Sequence, residues 1–85
     1  MPLSVLYFAW LRERVGVSEE ELSPPDSVTT VADLVLYLSN LDQRHADAFK
    51  NQATVRCAVN QEFAEITTVL RPGDEVAFFP PVTGG

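Results

Sequence analysis

Residues 30–41, Thr-Val-Ala-Asp-Leu-Val-Leu-Tyr-Leu-Ser-Asn-Leu, decide the fold. Val31, Leu34, Val35, Leu38 and Leu41 recur at helical spacing and form one apolar stripe. Thr30 stands where an N-cap belongs, and Asp33, three residues later, is a short-armed relative of the capping-box acid. Asn40 lies near the predicted end. No other segment carries so long a helical stripe. A single long helix with one apolar face needs one sheet face to cover it, so the expected class is α+β.

Strands are found on both sides of this helix. Leu3–Ala9 is rich in Val, Leu, Tyr and Phe and almost continuously apolar, which predicts a central strand buried on both faces. Trp10–Val15 reads as one or two helical turns closed by Gly16. Glu19–Ser23 resembles a solvated edge strand, and Pro24-Pro25-Asp26 breaks it. Beyond the helix, Asp42–Gln52 is polar and mixed, and reads as a loop with a helical turn around Ala46–Phe49. Val55–Val59 is a strand, Asn60-Gln61-Glu62 a turn, and Phe63–Ile66 a short return strand. Thr67–Leu70 connects to the Pro72-Gly73-Asp74 turn, where Pro presets φ and Gly supplies a positive one. Glu75–Phe79 is the last strand. The first and last strands are the most apolar and are expected side by side. The expected architecture is a mixed sheet of four to five strands wrapped on one main helix, with short extra helices. Residues 1–79 form the domain and 80–85 an extended tail.

With 85 residues there is room for one small core. Six Lys and Arg against twelve Asp and Glu leave a net charge of −6. Such a chain repels nucleic-acid phosphates and anionic membrane surfaces. The longest apolar run, Val5–Leu11, is far short of the roughly 20 residues of a membrane span, and no secretory leader is legible. One cysteine, Cys57, excludes an internal disulfide and a Cys-rich metal site. The expected setting is the cytoplasm, with no bound cofactor and no metal.

The chemistry is concentrated at the end. Val76–Gly85 reads Val-Ala-Phe-Phe-Pro-Pro-Val-Thr-Gly-Gly and has no charged side chain. Pro80 and Pro81 cannot continue a central strand and favour extended geometry. Val82 and Thr83 follow, then Gly84 and Gly85, the thinnest peptide available. Six residues reach roughly 20 Å when extended. The carboxylate of Gly85 is inert until activated. As an acyl-adenylate it would be electrophilic, and a sulfur donor would convert it to a thiocarboxylate. An uncharged stem lowers the desolvation cost of entering a partner.

The stretch Gly73–Gly85, together with Tyr7-Phe8-Ala9-x-x-Arg12-Glu13, the Ala58-Val59-Asn60-Gln61 turn and the overall length, resembles the small subunits of molybdopterin synthase, a family of β-grasp (ubiquitin-like) sulfur carriers. The resemblance covers nearly the whole chain, Asp42–Ala53 carrying least of it. It implies that an E1-like enzyme adenylates Gly85 with ATP and that a sulfur donor system makes the thiocarboxylate. It further implies that Pro80, Pro81, Val82, Thr83 and Gly84 thread into the large synthase subunit of a heterotetramer. There sulfur passes to a pyranopterin precursor, forming the molybdopterin dithiolene, with catalytic side chains supplied by the partner. It also implies a partner-facing patch of Phe79, Phe8 and Phe63, and a role for Arg12 against an acidic group of the activating enzyme.

Other residues read as structural. Cys57 has no His or basic cluster to lower its pKa, and reads as a buried, inert thiol. His45 reads as solvated in a polar loop, and Glu19-Glu20-Glu21 as a solvated edge. Lys50 is the only lysine, which favours a carrier over a polymerising tag. Three alternatives stay open: a thiamin-type sulfur carrier, a ubiquitin-like modifier, and a non-reactive β-grasp binding module.

Overall fold

The computed structural model describes residues 1–81. The chain runs β1 (Leu3–Tyr7), α1 (Ala9–Val15), β2 (Glu19–Leu22), α2 (Val31–Ser39), α3 (Gln43–Phe49), β3 (Arg56–Val59), β4 (Glu62–Ala64) and β5 (Glu75–Phe79). The strands form one sheet in the order β2-β1-β5-β3-β4. β1 and β5 are parallel, with Tyr7 opposite Phe78, and the other pairings are antiparallel. The most apolar strands therefore lie together near the centre, as their composition requires.

α2 forms where its stripe lies, and its N-terminus is fully closed. Thr30 Oγ1 accepts the amide of Asp33 at 3.2 Å, and Asp33 Oδ2 accepts the amide of Thr30, also at 3.2 Å. The amides of Val31 and Ala32 donate to the carbonyls of Thr68 and Ile66, so the connector before β5 completes the cap. Leu41 departs from its expected place in the stripe, because the helix stops at Ser39 and Leu41 is exposed. α1 ends at Gly16, whose φ of 95° is the left-handed cap geometry. A Cβ at that position would stand 2.5 Å from Arg44 Nη1 of α3.

Three sequence expectations need correction here. The segment after α2 is a helix of seven residues rather than a loop with one turn. Asp42 caps it by accepting the amide of His45 at 2.9 Å, and Ala48 and Phe49 enter the core. His45 is buried, not solvated, because its ring finds carboxylate partners on both sides. For the same reason Glu20 is not simply part of a solvated edge: its carboxylate accepts from the Tyr7 hydroxyl at 2.6 Å.

β1 is covered on one face only. Leu3, Val5 and Tyr7 are buried, whereas Ser4 and Leu6 are half-buried. The buried side meets Leu11, Val15, Leu34, Leu38, Phe49, Val76 and Phe78. Phe49 and Phe78 meet edge to face at a centroid distance of 4.9 Å, and Tyr7 stacks on Phe78 at 6.3 Å. All three helices supply residues to this one core. Among the described residues the other sheet face has no helical layer.

Candidate functional site

Strand parity sorts the residues of the uncovered face. In β5, Glu75, Ala77 and Phe79 alternate with the buried Val76 and Phe78. The register sets Arg56 opposite Phe79 and Ala58 opposite Ala77 on β3, then Phe63 opposite Ala58 on β4. Leu6 of β1 is opposite Ala77 on the other side. The face is thus small at its centre and aromatic toward one end.

Phe79 and Phe63 touch across this face, with ring centroids 5.9 Å apart and planes inclined by 58°. Phe63 is 85% exposed. A hairpin turn fixes its position: Asn60 and Gln61 have φ of 52° and 70°, the pair of positive values a two-residue turn needs. Asn60 also bonds the Asp74 carboxylate and accepts the amide of Glu75, which ties the hairpin to the start of β5. Beside the ring pair lies a groove of about 670 Å³ lined by Val55, Arg56, Cys57, Phe63, Ala64, Glu65, Ile66 and Phe79.

Phe8 extends the aromatic line on β1. It follows Tyr7 in extended geometry, is 46% exposed, and its amide donates to the Phe78 carbonyl at 3.0 Å. Ala9 then takes a φ of 54°, turning the chain sharply into α1. No ring contact joins Phe8 to the other two among the described residues. Arg12 is exposed on α1, whose neighbouring Leu11 enters the core, so it belongs to the helical layer rather than to the aromatic face.

The chain leaves β5 beside the aromatic pair, since Pro80 and Pro81 directly follow Phe79 and are half-buried. Val82, Thr83, Gly84 and Gly85, the remaining predicted site residues, lie outside the described residues. Cys57 faces the core side, its Sγ 3.4 Å from the Ala64 carbonyl, and burial pushes the thiol pKa up. The thiolate is therefore disfavoured. The acidic members of the open face, Glu19, Glu21 and Glu75, lie on the β2 side or at the far end of β5.

Sequence reasoning missed Leu6, Ala58 and Ala77 as the floor of this face, and Arg56 as its cation. One signal was present. Leu3–Ala9 is apolar at both parities, yet only one parity is covered. A strand apolar on both sides marks either two covering layers or one layer and a recognition face.

A central parallel β1–β5 pair, an antiparallel strand outside β1, an antiparallel β3–β4 hairpin outside β5 and helices on one side are the wiring of the ubiquitin-like β-grasp class. Within that class the chain belongs to the ThiS family, whose profile it matches over residues 5–85. It is 40% identical over 83 residues to the molybdopterin synthase sulfur carrier subunit of Escherichia coli, covering 98% of this chain and 99% of that one. It is 36% identical to the human protein of that name over 86 residues, covering 98% and 93%. Among solved structures it is similar to a putative molybdopterin converting factor, subunit 1, from Pyrococcus furiosus. That likeness has a TM-score of 0.79 and 34% identity, covering 96% of this chain and 99% of that one. SAMP1 from Haloferax volcanii gives 0.76 and 26% over the full length of both chains.

Proposed function

We propose that this chain is the sulfur carrier subunit of a molybdopterin synthase in the cytoplasm. The carrying observation is the junction of Phe79 with Pro80: the strand that supplies one ring of the aromatic pair runs directly into the segment that ends in Gly-Gly. A partner that grips the aromatic face is thereby set beside the tail. Relatives of 36–40% identity bearing the sulfur carrier name support the same reading.

The chemistry follows from a free carboxylate. An E1-like partner brings ATP; the Gly85 carboxylate attacks the α-phosphate and releases pyrophosphate, giving the glycyl adenylate. A sulfur donor displaces AMP, and the chain then ends in a thiocarboxylate. Pro80, Pro81, Val82, Thr83 and Gly84 thread that sulfur into the large subunit of a heterotetramer. The sulfur attacks a carbon of the pyranopterin precursor and displaces the oxygen substituent there, and water then cleaves the acyl–sulfur bond, leaving sulfur on the pterin and returning the carboxylate. No side chain of this protein need act as acid or base. ATP is spent on the activating enzyme, and this chain holds no cofactor of its own. Phe79, Phe63 and Phe8 anchor the partner, as exposed aromatics do at interfaces. Arg12 meets an acidic group of the activating enzyme from the helical side.

Intact-mass measurement tests this reading. Incubation with ATP, the activating enzyme and a sulfur source should exchange one terminal oxygen for sulfur. An unchanged mass, with the enzyme active on another carrier, would overturn it. A second reading, a protein modifier, is favoured by the likeness to SAMP1, described as a small archaeal modifier protein. It predicts isopeptide conjugates of this chain on lysines of other proteins, recoverable after tagging its N-terminus.

A further inference from the structure

His45 is the one histidine of the chain and is 6% exposed. Both of its ring nitrogens face carboxylate oxygens. Nε2 is 2.7 Å from Glu20 Oε2 of β2, and Nδ1 is 2.8 Å from Asp42 Oδ1 at the N-cap of α3. An ionised carboxylate has no proton to offer, so each contact needs a proton on the nitrogen. A neutral imidazole has only one. The same Glu20 oxygen also accepts from the Tyr7 hydroxyl of β1 at 2.6 Å.

We propose that His45, Asp42, Glu20 and Tyr7 form a pH-dependent latch between α3 and the β1–β2 edge. The latch is closed while the ring carries both protons and open once it releases one to solvent. The titratable groups set against the ring are Glu20, Tyr7 and Asp42. α1 and α2, which also pack on α3, place no carboxylate within salt-bridge distance of it among the described residues.

When one proton leaves, a bare nitrogen lone pair faces an anionic oxygen at hydrogen-bond distance. Asp42 keeps a second tether, the backbone amide of His45 at 2.9 Å. Glu20 has no such tether to α3. The contact between elements is therefore the one that parts, and it frees the first turn of α3 and the middle of β2. Burial, the largest single influence on the ring, lowers its pKa, but the hydrogen bonds and charges of Glu20 and Asp42 together outweigh it and the net direction is upward from 6.5. A raised folded-state pKa makes the contribution complete below 6.5 and removes it as pH climbs through the folded value.

A lone histidine makes the test direct, because a long-range proton–nitrogen spectrum of the intact protein contains one imidazole. Both nitrogens should carry protons below pH 6.5, and the titration midpoint should exceed 6.5. Each pH unit of that excess corresponds to a tenfold change in the opening equilibrium. Amide protection in Glu19–Leu22 and Gln43–Phe49, corrected for intrinsic exchange, should fall across the midpoint. Glu20→Gln should move the midpoint down, and Glu21→Gln, on the opposite face of the same strand, should leave it in place. A midpoint at or below 6.5 would overturn the latch. Protection that stays flat across the midpoint would overturn it as well. The parent protein alone decides both points, whatever the folding of the variants.

Discussion

The two faces of the sheet each carry a phenylalanine from β5 yet differ in cover, because helices pack on one and, among the described residues, not on the other. Phe78 and Phe79 are neighbours on β5. Phe78 is 1% exposed among Tyr7 and Phe49, while Phe79 is half-buried and its ring meets the exposed Phe63. Hydrophobicity alone does not separate them. What separates them is parity, and which parity the three helices cover. The lesson is that an apolar residue on a half-covered sheet is read by its register, not by its type.

The comparison can be broken at four points. The largest effect is expected at Phe78→Ala, which opens a cavity beneath Tyr7 and Phe49 and should cost about 3–5 kcal/mol in denaturant unfolding. Its counterpart on the other face is Phe63→Ala. Unfolding free energy should stay within about 0.5 kcal/mol, as for surface changes without a packing role, while the partner subunit binds at least about tenfold more weakly by calorimetry. Equal stability losses for the two would erase the distinction between the faces. Thr30→Ala removes the side-chain acceptor at the start of α2 and should cost about 1 kcal/mol by thermal unfolding. The smallest effect is the acid limb of the stability profile. Backbone and hydroxyl hydrogen bonds from Thr29, then from Thr30, hold the Asp33 carboxyl below its ordinary value. Its contribution is present above about 3.8 and disappears as pH falls through the folded value. Asp33→Asn should flatten that limb in an acid titration followed by circular dichroism.

How much was legible follows from where each signal lies. α2 could be read because its cap and stripe are local, all within twelve residues. The strands and the central β1–β5 pairing followed from apolar runs, and the Asn60-Gln61 turn set the hairpin that carries Phe63. α3 was legible only as a turn around Ala46–Phe49, because its core-facing positions include a histidine. His45 counts as polar until Glu20, 25 residues earlier in the chain, is brought against it. Adjacent positions on one strand send Phe78 and Phe79 to opposite faces whatever the fold. The meeting of Phe79 with Phe63 needed the register of three strands, which no local pattern encodes. The floor residues Leu6, Ala58 and Ala77 were hidden for the same reason.

The position of β5 between β1 and β3 has a mechanical consequence. A pull on Pro80 along the strand axis does not unzip one edge bond by bond. It loads two ladders at once, a parallel one to β1 and an antiparallel one to β3, and every rung must slip together. Any machine that tugs this chain by its tail therefore works against a sheared seam, and should stall or let go before the domain gives way.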